Sequence, residues 1–107
     1  METNSHILVV DDEQDLCEIL KFNLETEGYN VETANSAEEA LEMGIEKSDL
    51  LLLDVMMGGM SGFALAKRLK ENPLTAGIPI IFLTAKDTEN DTVTGFNLGA
   101  AAYMSKP

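Results

Sequence analysis

A chain of 107 residues has room for one hydrophobic core and little for a second, so residues 1–107 are read as one domain. Its 45% apolar content is ordinary for a globular protein, and no stretch approaches the roughly 20 uninterrupted apolar residues of a membrane helix. Seven Lys and Arg against 19 Asp and Glu give a net charge of −12, a field that repels phosphates and argues against direct nucleic-acid binding by this segment. Met1 to His6 carries no basic cluster ahead of an apolar run, so no secretory leader is expected. The single cysteine, Cys17, has no internal disulfide partner and fits a reducing compartment, the cytoplasm being the expected location.

His6 to Val10 is a continuous aliphatic run ended by two aspartates, the pattern of a strand buried on both faces. Leu16, Ile19, Leu20 and Leu24 recur at three- and four-residue steps and predict a first helix that stops near Gly28. Tyr29 to Thr33 predicts a second strand. Ser36 and Glu39 have capping-box spacing, and Ala40, Leu41 and Ile45 supply the apolar stripe of a second helix. Asp49 to Asp54, with four leucines in a row, predicts a third buried strand.

The glycine-rich stretch from Met56 to Gly62 predicts a loop, with Ser61 capping a helix that turns Phe63, Ala66 and Leu69 inward. Ile78 to Leu83 predicts a fourth strand, Pro79 being tolerable at its start. Asp87 can cap a fourth helix to about Leu98, and Ala101 to Ser105 a fifth strand, ahead of Lys106 and Pro107. Strands alternating with helices at this spacing predict an α/β fold of parallel βαβ units.

In open parallel sheets ligands collect beyond the carboxyl ends of the strands, and that is where the notable polar residues fall. Asp11 and Asp12 follow the first strand, Asp54 ends the third, Thr84 the fourth and Lys106 the fifth. Three gathered carboxylates repel one another unless a cation compensates, and Mg²⁺ suits an all-oxygen set. An aspartate oxygen is also a competent nucleophile toward phosphorus, while Thr84 can donate to a phosphate oxygen and Lys106 can supply positive charge. Taken singly, each has a plainer reading. Asp11 and Asp12 can cap the first helix, Asp54 can merely open a loop, Thr84 can be a strand residue and Lys106 a solvated surface lysine.

Together these residues resemble the response-regulator receiver domains of two-component signalling. The matching stretches are Leu8-Val9-Val10-Asp11-Asp12-Glu13, Leu53-Asp54-Val55-Met56-Met57, Met60-Ser61-Gly62, Leu83-Thr84-Ala85 and Lys106-Pro107. The resemblance implies a doubly wound five-stranded parallel sheet in the flavodoxin-like order 2-1-3-4-5. It implies that Asp54 is the phosphoacceptor, that Asp12 binds the metal directly and Asp11 through water, and that the Met56 carbonyl is a further ligand. Thr84 and Lys106 would contact the phosphoryl group, and Tyr103 would act as an aromatic switch following Thr84. A sensor histidine kinase would be the phosphoryl donor, and the surface around the fourth helix and fifth strand would control an output module, DNA-binding in the winged-helix subfamily that this chain resembles.

Four features depart from the family pattern. Gly58 stands where proline is usual, implying a more mobile loop after Asp54. Ala101 and Ala102 replace acidic residues that help pair receivers through the fourth helix, fifth strand and fifth helix, which argues against that dimer. The sequence ends at Pro107, so the fifth helix and the output domain are expected to be missing and the receiver truncated at its C-terminus. Self-association through the sheet face left uncovered is then expected. Two other functions are less well served. A phosphatase or mutase with an aspartyl-phosphate intermediate would place its nucleophile in an Asp-x-Asp motif, whereas Asp11 and Asp12 are adjacent. A flavin or nucleotide module would need a phosphate-receiving loop after the first strand, where Asp11, Asp12, Glu13 and Asp15 repel phosphate.

Overall fold

The computed structural model describes residues 5–84 and 102–105. The strands and helices, in chain order, are β1 (His6–Val10), α1 (Gln14–Thr26), β2 (Asn30–Ala34), α2 (Ala37–Leu41), β3 (Leu50–Asp54), α3 (Gly62–Lys70), β4 (Ile80–Thr84) and β5 (Ala102–Ser105). All the strand pairings are parallel, and the order across the sheet is β2-β1-β3-β4-β5. The expected fold class and strand order therefore hold. The expected helix from Asp87 to Leu98 lies outside the described residues, as do Ala101, Lys106 and Pro107.

The uninterrupted apolar runs follow from burial on both faces. Leu8, Val10, Leu51, Leu53, Ile80 and Phe82 point to one side, where they meet Ala37 and Ala40 of α2 and Leu65, Ala66 and Leu69 of α3. Ile7, Val9, Leu52 and Leu83 point to the other side, toward Cys17 of α1. Phe63 meets Phe82 edge-on, with ring centroids 4.8 Å apart and planes at 78°, a favoured aromatic geometry. Fully burying one large aliphatic side chain contributes about 1.5–3 kcal/mol, and Phe82, Leu51, Leu53, Leu65 and Ile80 are the largest fully buried apolar side chains.

Local signals set the helix boundaries. The Glu39 amide donates to Ser36 Oγ at 2.9 Å, and Glu39 Oε1 accepts from the Asn35 amide at 2.7 Å, so the capping pair forms with its return bond one residue earlier. Ser61 Oγ accepts from the Ala64 amide at 3.1 Å and caps α3 as expected. Gly28, with φ of 101°, ends the turn after α1 in the left-handed region.

Two packing expectations are corrected. Ile19 is 52% exposed, and the buried stripe of α1 runs through Leu16 and Cys17 with Leu20 and Leu24 packed against it, because the helix turns Cys17 toward β1. Ile45 is buried, but α2 ends at Leu41; Gly44 adopts φ of 74° and Ile45 begins a separate 3-10 turn, Ile45–Lys47. On the α1 side, an apolar groove of about 320 Å³ is lined by Ile7, Leu20, Leu24, Leu50, Leu52 and Ile81 among others.

Candidate functional site

Parallel register brings the chemistry to one rim. Val10 pairs with Leu53 and Asp54 with Leu83, so Asp11 leaves β1 beside Asp54, and Thr84 follows Leu83 on the other side. One carboxylate oxygen from each of Asp11, Asp12 and Asp54 lies within 4.8 Å of the other two. Asp11 and Asp54 are buried at 0% and 1% exposure, whereas Asp12 is exposed. Burying two carboxylates is costly without compensation, so this arrangement is not what core packing alone would select.

Each carboxylate is oriented by a backbone amide. Asp11 Oδ1 accepts from the Glu13 amide at 2.9 Å, and Asp54 Oδ1 accepts from the Met56 amide at 3.2 Å, both two residues along the chain. Asp12 Oδ2 accepts from the Gly58 amide at 3.3 Å. Neither Asp11 nor Asp12 caps α1; the residue before the helix is Glu13, whose side chain makes no capping bond. Below the rim, the Asp11 carbonyl accepts from Asn35 Nδ2 at 3.1 Å and from Cys17 Sγ at 3.3 Å. The Asn35 contact was not legible in the sequence, because a lone asparagine after a strand carries no spacing signal. Cys17 is a buried core thiol that also makes a hydrogen bond.

The loop after Asp54 returns to it. The Gly62 amide donates to the Val55 carbonyl at 3.1 Å, and a Cβ added at Gly62 would lie 2.0 Å from the Asp54 carbonyl oxygen. Only glycine permits this approach, so Gly62 of the stretch Met60-Ser61-Gly62 is required by the geometry under the site. Met56 is 76% exposed, while Met57 and Met60 pack against the core.

The sequence-derived site residues thus fall as follows. Asp11, Asp12 and Asp54 are brought together. Thr84 closes β4, opposite Ser105, and Tyr103 pairs with Phe82 on β5. Lys106 lies outside the described residues. The donor set at the rim is three carboxylates with no sulfur or imidazole, which fits a hard divalent cation. Three negative groups on a parallel-sheet rim can hold such a cation and offer one oxygen to an electrophile.

The family model described as response regulator receiver domain matches residues 7–107. The chain is 49% identical over 105 residues to the alkaline phosphatase synthesis transcriptional regulatory protein PhoP of Bacillus subtilis, covering 97% of this chain and 43% of that protein. It therefore spans less than half the length of that curated relative. Among solved structures, the chemotaxis protein CheY4 of Vibrio cholerae superposes with a TM-score of 0.92 at 29% identity, covering 98% of this chain and 88% of that one. A response regulator from Burkholderia pseudomallei, solved with a phosphorylated aspartic acid, a calcium ion and citrate, superposes with a TM-score of 0.87 at 31% identity, covering 97% and 61%. Among the described residues no helix is long and apolar enough to cross a membrane.

Proposed function

The chain belongs to the response regulator receiver domains, signalling modules of two-component systems, and from that premise we propose that it accepts a phosphoryl group on Asp54 with Mg²⁺ held beside it. The observation that carries the reading is the convergence of Asp11, Asp12 and Asp54 within 4.8 Å at the rim. The phosphorylated aspartate and calcium ion of the Burkholderia pseudomallei relative support it. Asp12, Asp54 and the Met56 carbonyl would hold the cation directly and Asp11 through water. When bound, Mg²⁺ neutralises charge on the transferring phosphoryl group.

Asp54 acts as the nucleophile. One of its carboxylate oxygens forms the P–O bond as the P–N bond of a kinase phosphohistidine breaks, and the bonding pair stays on the imidazole nitrogen. The Met56 amide on Oδ1 fixes the carboxylate during the attack. Thr84 donates its hydroxyl to a phosphoryl oxygen, Lys106 pairs with another, and Tyr103 follows Thr84, so that the surface around the fourth helix and β5 changes on phosphorylation. Catalysis is confined to the domain's own phosphorylation and dephosphorylation. We assign the chain, residues 1–107, to the receiver portion of a longer cytoplasmic transcription regulator with a C-terminal DNA-binding output, by analogy with the Bacillus subtilis relative.

Acetyl phosphate with Mg²⁺ is the test: intact-mass spectrometry is expected to show one phosphoryl adduct, and none when the metal is chelated before the donor is added. An adduct indifferent to chelation would overturn the proposal. A second expectation concerns lifetime. Met56 places an exposed thioether two residues after Asp54, and a thioether cannot orient an attacking water as an amide can. Met56→Asn is expected to shorten the phosphoryl lifetime severalfold, measured as loss of adduct after the donor is removed; an unchanged lifetime would show that this position is not limiting.

A further inference from the structure

We propose that Gly58 and Glu38 are positioning residues for the acidic cluster, fastening the loop between β3 and α3 so that the Gly58 amide holds the Asp12 carboxylate in its cation-binding orientation. This rests on the reading of the cluster as a Mg²⁺ site. Asp11 and Asp54 are buried at strand ends and need little further restraint, but Asp12 is exposed and its side chain would otherwise turn freely in water. The amide that holds it comes from 46 residues along the chain, at 3.3 Å. In that same arrangement one Asp12 carboxylate oxygen lies within 4.8 Å of one each from Asp11 and Asp54. The hydrogen-bonded orientation is therefore already the one that gathers the three carboxylates.

The loop that supplies the amide has two adjacent glycines, Gly58 and Gly59, and needs its own anchor. Glu38 provides one. Its Oε2 accepts from the Met60 amide at 3.4 Å and lies beside Gly59, where an added Cβ would come within 3.2 Å of it. Glu38 in turn sits on α2, whose start is fixed by Ser36. Both bonds are long, and each alone is weak; they act through the loop they share. Gly58 stands where the resemblance leads one to expect proline, and proline has no N–H to donate. The glycine therefore supplies a contact that the usual residue cannot.

Mg²⁺ titration calorimetry on the chain distinguishes the N–H from loop flexibility. Gly58 has a φ outside the left-handed region and nothing within 4 Å of an added Cβ, so Gly58→Ala keeps the amide and should bind Mg²⁺ within about twofold of wild type. Gly58→Pro is expected to weaken binding about three- to tenfold, and Glu38→Ala about two- to threefold, with Glu38→Gln nearer wild type because its amide oxygen still accepts. In metal-free protein, Asp12→Ala is expected to shift the Gly58 amide proton resonance, a readout independent of how well Gly58→Pro folds. Equal affinities for Gly58→Pro, Gly58→Ala and wild type, an equal loss in both Gly58 variants, or an unmoved Gly58 resonance would each overturn the inference and leave the Mg²⁺ site standing. No Mg²⁺ uptake by wild type would overturn the site itself, and the inference with it.

Discussion

Asp54→Ala protein treated with acetyl phosphate and Mg²⁺ is expected to gain no phosphoryl mass, whereas Asp11→Ala and Asp12→Ala should still be labelled, more slowly. Three carboxylates share the rim, so the identity of the nucleophile has to be argued. Asp54 is the middle one: β3 lies between β1, which delivers Asp11 and Asp12, and β4, which delivers Thr84. A phosphoryl group on Asp54 would have the cation-binding acids on one side and the strand carrying Thr84 on the other. Attack from Asp12 would place the group outward in water, since Asp12 is exposed. Asp11 and Asp54 are both buried and each is bound to an amide two residues on, so position separates them: Asp11 follows β1, which β3 separates from the strand carrying Thr84. The outer two should instead show their roles in metal affinity, with Asp12→Ala weakening Mg²⁺ binding more than Asp11→Ala. Asp11→Ala loses the bond from the Glu13 amide but also removes a buried negative charge beside Asp54, two opposed effects on stability, so its melting temperature must be recorded alongside. An adduct on Asp54→Ala in wild-type yield would remove Asp54 from the mechanism.

The parts of this arrangement that can be read from sequence share one property: they depend on neighbours along the chain or on the common direction of parallel strands. The run Leu50 to Leu53 announces a strand buried on both faces, and Ser36 and Ser61 announce helix starts by local hydrogen bonds. Because the strands point the same way, residues that end them must meet at one rim, which is why Asp11, Asp12 and Asp54 could be grouped from their positions alone. Contacts between distant segments left no comparable trace. Cys17 rather than Ile19 faces the sheet, yet Cys17 stands three residues before Leu20 and Ile19 three after Leu16, so both fit the helical period. The bonds from Gly58 to Asp12 and from Met60 to Glu38 join residues 46 and 22 apart, and nothing periodic marks either pair.

Gly62→Ala should be the most damaging of the single-methyl additions in the loop after Asp54. The new Cβ would stand 2.0 Å from the Asp54 carbonyl oxygen, 2.8 Å from its carbon and 3.2 Å from the Val55 Cα, all backbone atoms that cannot rotate away. Relief requires moving the start of α3 off the end of β3, which breaks the bond from the Gly62 amide to the Val55 carbonyl and disturbs the packing of Leu65 and Ala66. Overpacking of this kind costs about 3 kcal/mol or more against a domain stability of roughly 5–15 kcal/mol. At about 4–8 °C per kcal/mol for a domain of this size, thermal unfolding should fall by at least about 12 °C. The displaced carbonyl belongs to Asp54, so phosphorylation should slow even below the melting temperature. Two neighbours calibrate the result. Gly58→Ala meets nothing within 4 Å and should be near neutral, while Gly59→Ala must adopt φ near 75° and should cost about 1 kcal/mol. Circular-dichroism melts of the three variants test the order Gly58, Gly59, Gly62; a Gly62→Ala protein as stable as Gly58→Ala would mean that the close approach of α3 to Asp54 is not what builds the site.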